Sequence, residues 1–163
     1  MNSSGRLVFV ALLPCYVCCL ALCLVPGWSS VQWEPPTYAK LDSFQERDVV
    51  VGTDEWALPA TLALPAGDGL FPAVVLVHGS GPHDRDESIG PNKPFRDLAW
   101  GLASRNIAVL RYEKRTREHA AKLARKSDHI TVNEEVIEDV VAAVDLLEMT
   151  PCIDADRIFV LGH

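Results

Sequence analysis

Cysteine is nearly absent from most of this 163-residue chain. Four of its five cysteines (Cys15, Cys18, Cys19, Cys23) crowd into one stretch near the amino terminus, and Cys152 is alone beyond it. If the first thirty residues are removed, no intrachain disulfide can form, and Cys152 reads as a buried apolar thiol. Positive charge is also scarce. Fifteen basic residues stand against 22 acidic ones, a net charge of −7, and no Lys/Arg-rich surface offsets it, which argues against nucleic-acid binding. Internal repeats and low-complexity tracts are missing. With 48% apolar and 23% charged residues, the chain is neither collagen-like nor intrinsically disordered, and its length predicts one ordinary domain.

What is present divides in two. Residues 1–30 hold one charged side chain, Arg6, followed by an uncharged run over 7–25 and the helix-breaking Pro26. This is the layout of a secretory signal peptide, with Gly27-Trp28-Ser29 offering small residues for cleavage after Ser29. The run also approaches the roughly 20 residues needed to cross a bilayer, so an uncleaved membrane anchor is a second reading. A third is a start site downstream, which would leave the protein cytoplasmic. Lipidation is disfavoured, because Leu22 and Pro14 precede the candidate cysteines. Residues 31–45, with Pro35-Pro36, read as a linker.

From Glu46 to His163 the pattern alternates between short β-branched runs and helical periods. Strands are expected at 49–51 and 60–64, separated by the turn Gly52-Thr53-Asp54-Glu55. The unbroken apolar run 73–77 suits a strand buried on both faces. Pro94 fits a first helical turn, Phe95, Leu98, Ala99, Leu102 and Ala103 recur at helical spacing, and Asn106 is a left-handed stop. A strand follows at 107–110. Thr131-Val132-Asn133-Glu134 matches a capping box, opening a helix with the stripe Val136, Val140, Ala143, Val144 and Leu147 that Pro151 ends. Asp154-Ala155-Asp156 should turn the chain into a last strand, 157–161. Strands alternating with helices specify an α/β fold with a largely parallel sheet.

Two strand ends stand out, since ligands gather at the carboxyl ends of such strands. Strand 73–77 runs into His78-Gly79-Ser80-Gly81-Pro82, and strand 157–161 into Gly162-His163. Glycines after a buried strand allow a sharp turn and expose backbone N–H groups, which suit an oxyanion.

With Ile158-Phe159-Val160-Leu161-Gly162-His163 after the long helix, these residues resemble the N-terminal half of an α/β-hydrolase. Gly79-Ser80-Gly81-Pro82 with Asp84-Arg85-Asp86, and Arg111-Tyr112-Glu113-Lys114-Arg115, are similar to bacterial esterases of the dienelactone-hydrolase-like group. The resemblance covers residues 46–163. It implies an eight-stranded sheet in the order 1-2-4-3-5-6-7-8, in which 157–161 is the fifth strand. It also implies a nucleophile elbow, Gly-x-Ser-x-Gly, whose first two positions are Gly162 and His163 and whose serine comes next. On that expectation the 163 residues are a truncated α/β-hydrolase domain lacking nucleophile, acid and catalytic His. The chain would then be inactive alone, and, because its fifth strand becomes an exposed edge, poorly soluble or only partly folded.

The remaining implications follow the same resemblance. The backbone N–H of Ser80, or of Gly81, forms half of the oxyanion hole. Ser80 is not the nucleophile, His78 and Gly79 shape the turn, and Gly162 and His163 are structural members of the motif. The parent protein is expected to hydrolyse small-molecule carboxylic esters through an acyl-enzyme, with no metal, no organic cofactor and no nucleic-acid partner, and with membrane contact only if the leader is uncleaved. Competing readings are a serine peptidase, a dienelactone-type hydrolase, a dehalogenase if Asp replaces the serine, or a non-catalytic remnant or interaction module. His83, Asp84 and Asp86 are metal-capable types without a defined ligand spacing, so a loop held by Arg85–carboxylate contacts is expected instead. The charged stretch 113–126 reads as solvated surface, and His119 and His129 as surface residues without partners.

Overall fold

The computed structural model describes residues 32–125 and 130–163. The leader with its four cysteines, its cleavage position and His129 lie outside the described residues. Five strands form one sheet: β1 (Phe44–Val51), β2 (Leu58–Pro65), β3 (Phe71–Val77), β4 (Ala108–Tyr112) and β5 (Ile153–Gly162). Their spatial order is β1-β2-β4-β3-β5, the order implied by the resemblance. β2 is antiparallel to both β1 and β4, while β3 is parallel to β4 and β5. Four strands therefore run in one direction and only β2 opposes them, as the hairpin β1–β2 requires.

Helix α1 (Pro94–Ala103) covers one face and α4 (Glu138–Glu148) the other. The pleat sorts β3 accordingly. Ala73, Val75 and Val77 join Leu110, Ala143 and Leu147 in one core, whereas Val74 and Leu76 pack with Phe95, Ala99 and Val109 in the other. This two-sided burial is why 73–77 has no polar residue. α1 has Pro at its first turn, and Asn106 takes φ 62° where the chain reverses into β4. Two short helices, α2 (Arg115–Glu118) and α3 (Ala120–Leu123), follow β4.

Several boundaries differ from the sequence reading, β2 and β4 by one or two residues at their ends. β1 begins at Phe44, and part of the expected linker lies along α1: the Trp33 indole donates to Asp97 at 2.8 Å, and Tyr38 packs on Gly101. The capping box is made, with the Thr131 amide donating to the Glu134 carboxylate at 2.9 Å and the Asn133 amide donating to the Thr131 hydroxyl at 3.2 Å. A π-helical turn, Asn133–Ile137, then intervenes before α4 proper. Asp154-Ala155-Asp156 does not precede β5 but lies within it, as an irregularity: Phe71 faces Ile153 while Ala73 faces Ile158. The Asp156 amide donates to the Asp154 side chain there, and Arg157 donates to the same carboxylate at 2.6 Å. Among the described residues no helix is long and apolar enough to cross a membrane.

Candidate active-site loop and the end of β5

The loop leaving β3 and the end of β5 lie side by side, because β3 and β5 pair in parallel up to Val77 and Gly162. The His163 amide donates to the Val77 carbonyl at 3.0 Å. A Cβ on Gly79 would come within 3.3 Å of both the His163 ring and its carbonyl, so glycine is what allows this approach. Gly81 takes φ 111°, a backbone that strains any residue with a side chain. Of the predicted residues, His78, Gly79, Gly162 and His163 thus converge at one place, with Ser80 exposed at the loop's crest.

Three consecutive carbonyls of this loop are tied down. Lys114 Nζ donates to Gly79 O at 2.7 Å. His83 Nε2 lies 2.7 Å from Ser80 O; a carbonyl only accepts, so that nitrogen carries the proton. Thr116 donates to Gly81 O at 3.1 Å, as does the His83 amide at 3.2 Å. In a trans peptide the C=O and the following N–H point in opposite directions. Fixing the Gly79 and Ser80 carbonyls therefore also fixes the Ser80 and Gly81 amides, pointed away from Lys114 and from the His83 ring respectively. The Gly81 carbonyl belongs to the peptide with Pro82, which has no N–H.

His78 is buried beneath the loop, its Nε2 donating to Asp84 O at 2.9 Å. Burial lowers its pKa to about 4, despite the opposing pull of the Asp84 carbonyl and Glu87. At neutral pH the ring is uncharged, and its Nδ1 has no partner among the described residues.

Two features escaped sequence reasoning. Glu87 is 2% exposed, adopts φ 51°, and places Oε1 at 3.0 Å from His163 Nδ1. The stretch beginning at Glu113 is not solvated surface at its start: Lys114 and Arg115 are buried. Lys114 meets Glu135 at 2.7 Å. Arg115 pairs with Asp139 and, at 2.9 Å, with Glu138. Burial nevertheless pushes the Asp139 carboxyl above its ordinary pKa, its contact with Arg115 notwithstanding. His119 is likewise partnered, donating to Ala57 O at 3.0 Å and standing edge-on to Trp56. Local sequence carries no sign of these partners, because they lie 20 or more positions away.

His83, Asp84 and Asp86 disperse to separate tasks. His83 turns to Ser80, Asp84 accepts from the Ser88 amide at 2.8 Å, and Asp86 is ringed by Arg96, Lys93 and Arg111 at 2.8–3.1 Å. Arg111 is buried at 2% exposure and also reaches Glu46 at 2.7 Å; burial works against its charge, and the two carboxylates offset part of that cost. Arg85 is held by Glu113 at 2.9 Å and by Thr61 at 2.8 Å, as a loop fastened by Arg85–carboxylate contacts requires. Glu46, Thr61, Arg85, Asp86, Arg111 and Glu113 are among the walls of a polar cavity of about 480 Å³. A separate apolar cleft of about 270 Å³, lined by Ile89, Pro94, Phe95, Leu98 and Leu161, adjoins His163.

No protein-family model matches the chain. Over 137 residues, 83% of its length, it is 47% identical to esterase EstD of Thermotoga maritima, and it spans about 30% of that curated relative. Among solved structures it resembles brefeldin A esterase, described as a bacterial homologue of human hormone-sensitive lipase. That match has a TM-score of 0.55 and 21% identity, covering 82% of this chain and 34% of that one. It also resembles dienelactone hydrolase from Anabaena variabilis, with a TM-score of 0.53 and 24% identity over 74% of this chain and 52% of that one. The strand order, the paired strand ends and these likenesses agree: the described residues carry five strands of an α/β-hydrolase fold.

Proposed function

We propose that this chain supplies the oxyanion side of a serine-dependent carboxylic ester hydrolase. The observation that carries the reading is the set of three tied carbonyls over Gly79–Gly81 beside His163. It supports a role for the Ser80 amide, with Gly81 next to it, as donor to a tetrahedral oxyanion formed by a nucleophile following His163. Fixed backbone dipoles of this kind need no rearrangement as charge develops, and one such donor contributes about 10²–10³ in rate. The 47% identity to a protein named an esterase supports the ester substrate. The apolar cleft beside His163 suits the organic part of such a substrate.

The catalytic serine, acid and histidine belong, in this reading, to sequence after His163, and the acyl-enzyme forms on that serine. Residues 1–30 act as an export signal or anchor, which amino-terminal sequencing of the exported protein checks. The central test is a fluorophosphonate probe on the full-length gene product, with the labelled peptide identified by mass spectrometry. Labelling at a serine directly after His163 is expected. Labelling at Ser80, or none at all, would falsify the reading.

A further inference from the structure

We infer that Lys114, clamped by Glu135, is a positioning residue that sets the direction of the Ser80 amide. The inference rests on the reading of that amide as an oxyanion donor. Lys114 is 3% exposed, and a buried ammonium must find acceptors for its three N–H groups or lose most of its solvation. Two of its contacts fall at 2.7 Å: the Gly79 carbonyl and the Glu135 carboxylate. Gly79 O is in the same peptide as Ser80 N–H. Any rotation that turned this amide away from the site would swing the carbonyl off the ammonium and leave a buried charge short of an acceptor. Glu135 matters because it keeps the charge in place: it sits in the turn before α4, on a different element from the loop. The contact also polarises the peptide, since a cation on the carbonyl oxygen makes the attached N–H a stronger donor.

The neighbouring bonds reinforce this role. The Lys114 amide donates to His83 O at 3.1 Å, and Thr116 donates to Gly81 O. The chain that leaves β4 is therefore a strap across the loop, with Lys114 as its charged contact. In the sequence, Arg111-Tyr112-Glu113-Lys114-Arg115 carries part of the family resemblance but is assigned no task.

Gly79-Ser80 is the single Gly-Ser step in the 163 residues. Labelling the full-length protein with carbonyl-¹³C glycine and ¹⁵N serine therefore gives one peptide cross-peak from this chain, assigned by its loss in Ser80→Thr. In Lys114→Met the Gly79 carbonyl shift is expected to move upfield, as the charged donor is lost. Glu135→Ala, at a partly exposed side chain, should move it in the same direction by less, and decides the matter if Lys114→Met does not fold. An unmoved peak in the folded variant overturns the clamp. Hydrolysis of p-nitrophenyl acetate by the same proteins separates the two ideas. A wild-type protein without activity removes the esterase reading and leaves the clamp to be judged by the spectrum. With an active wild type, Lys114→Met should lower kcat about 10²-fold with KM nearly unchanged. A shifted peak with unchanged kcat overturns the catalytic consequence of the clamp.

Discussion

The loop after β3 and the outer strand β5 meet at the same place but are built on opposite principles. The loop is held by side chains arriving from β4, α2 and the turn before α4, and its supporting groups Lys114, Asp86, Glu87 and Arg111 are buried. β5 has neighbours on one side only among the described residues, and Phe159, Val160 and Leu161 are 58%, 52% and 46% exposed. The difference teaches that the polar, irregular segment is the better determined of the two. Long-range ion pairs specify a loop more closely than β-propensity specifies a strand whose faces are open.

The largest expected effect falls on the ion pairs beneath the loop. Arg111→Met leaves Asp86 and Glu46 without their shared guanidinium, and breaking a buried pair costs about 3–5 kcal/mol. Chemical denaturation would show it as a lower midpoint, and an unchanged midpoint would mean that Lys93 and Arg96 suffice for Asp86. Next comes pH. His78 is charged less readily in the fold than in the unfolded chain, so the unfolded state takes up the proton first as pH falls. Stability should then be lost from about pH 6.5 down to about 4, by about 3 kcal/mol in total. Unfolding curves across that range should lose this slope in His78→Gln.

Gly81→Ala is expected to cost about 1–3 kcal/mol, since φ 111° strains a side-chain-bearing residue and the new methyl would lie 3.1 Å from the His83 ring. Thermal melts of the variant and wild type check it. The smallest stability effect belongs to β5. Phe159→Thr should change unfolding free energy by about 0.5 kcal/mol or less, as surface substitutions usually do. Its consequence is colloidal: light scattering of the 163-residue polypeptide should show self-association that Phe159→Thr reduces. Equal scattering from both would show that the exposed strand does not govern association.

Several elements are legible in the amino-acid sequence. The capping box at Thr131 and Glu134, the left-handed Asn106, Pro94 at the start of α1 and the two-face burial of 73–77 each depend on bonds within a few residues, or on one periodicity. Their chemistry is local, so the sequence displays it. The burial of Lys114, Arg115 and Glu87 is not legible there, because a charged residue reads as solvated until its partner is known. Glu135 lies 21 positions from Lys114, Asp139 lies 24 from Arg115, and His163 lies 76 from Glu87. The inclusion of Asp154-Ala155-Asp156 within β5 is hidden for a related reason: Asp and Ala are poor strand formers, and pairing of the flanking residues with β3 overrides their preference.

By itself, then, the amino-acid sequence determined the alternation of strands and helices, the faces they bury and the two glycine-bearing strand ends. Those follow from periodicity and backbone freedom, which act over a few residues. Only the tertiary structure decided which groups hold the Gly79, Ser80 and Gly81 carbonyls and which charges are buried beside them. That outcome depends on a lysine, a threonine and a glutamate brought from distant elements to a loop whose own His83 supplies the remaining contacts.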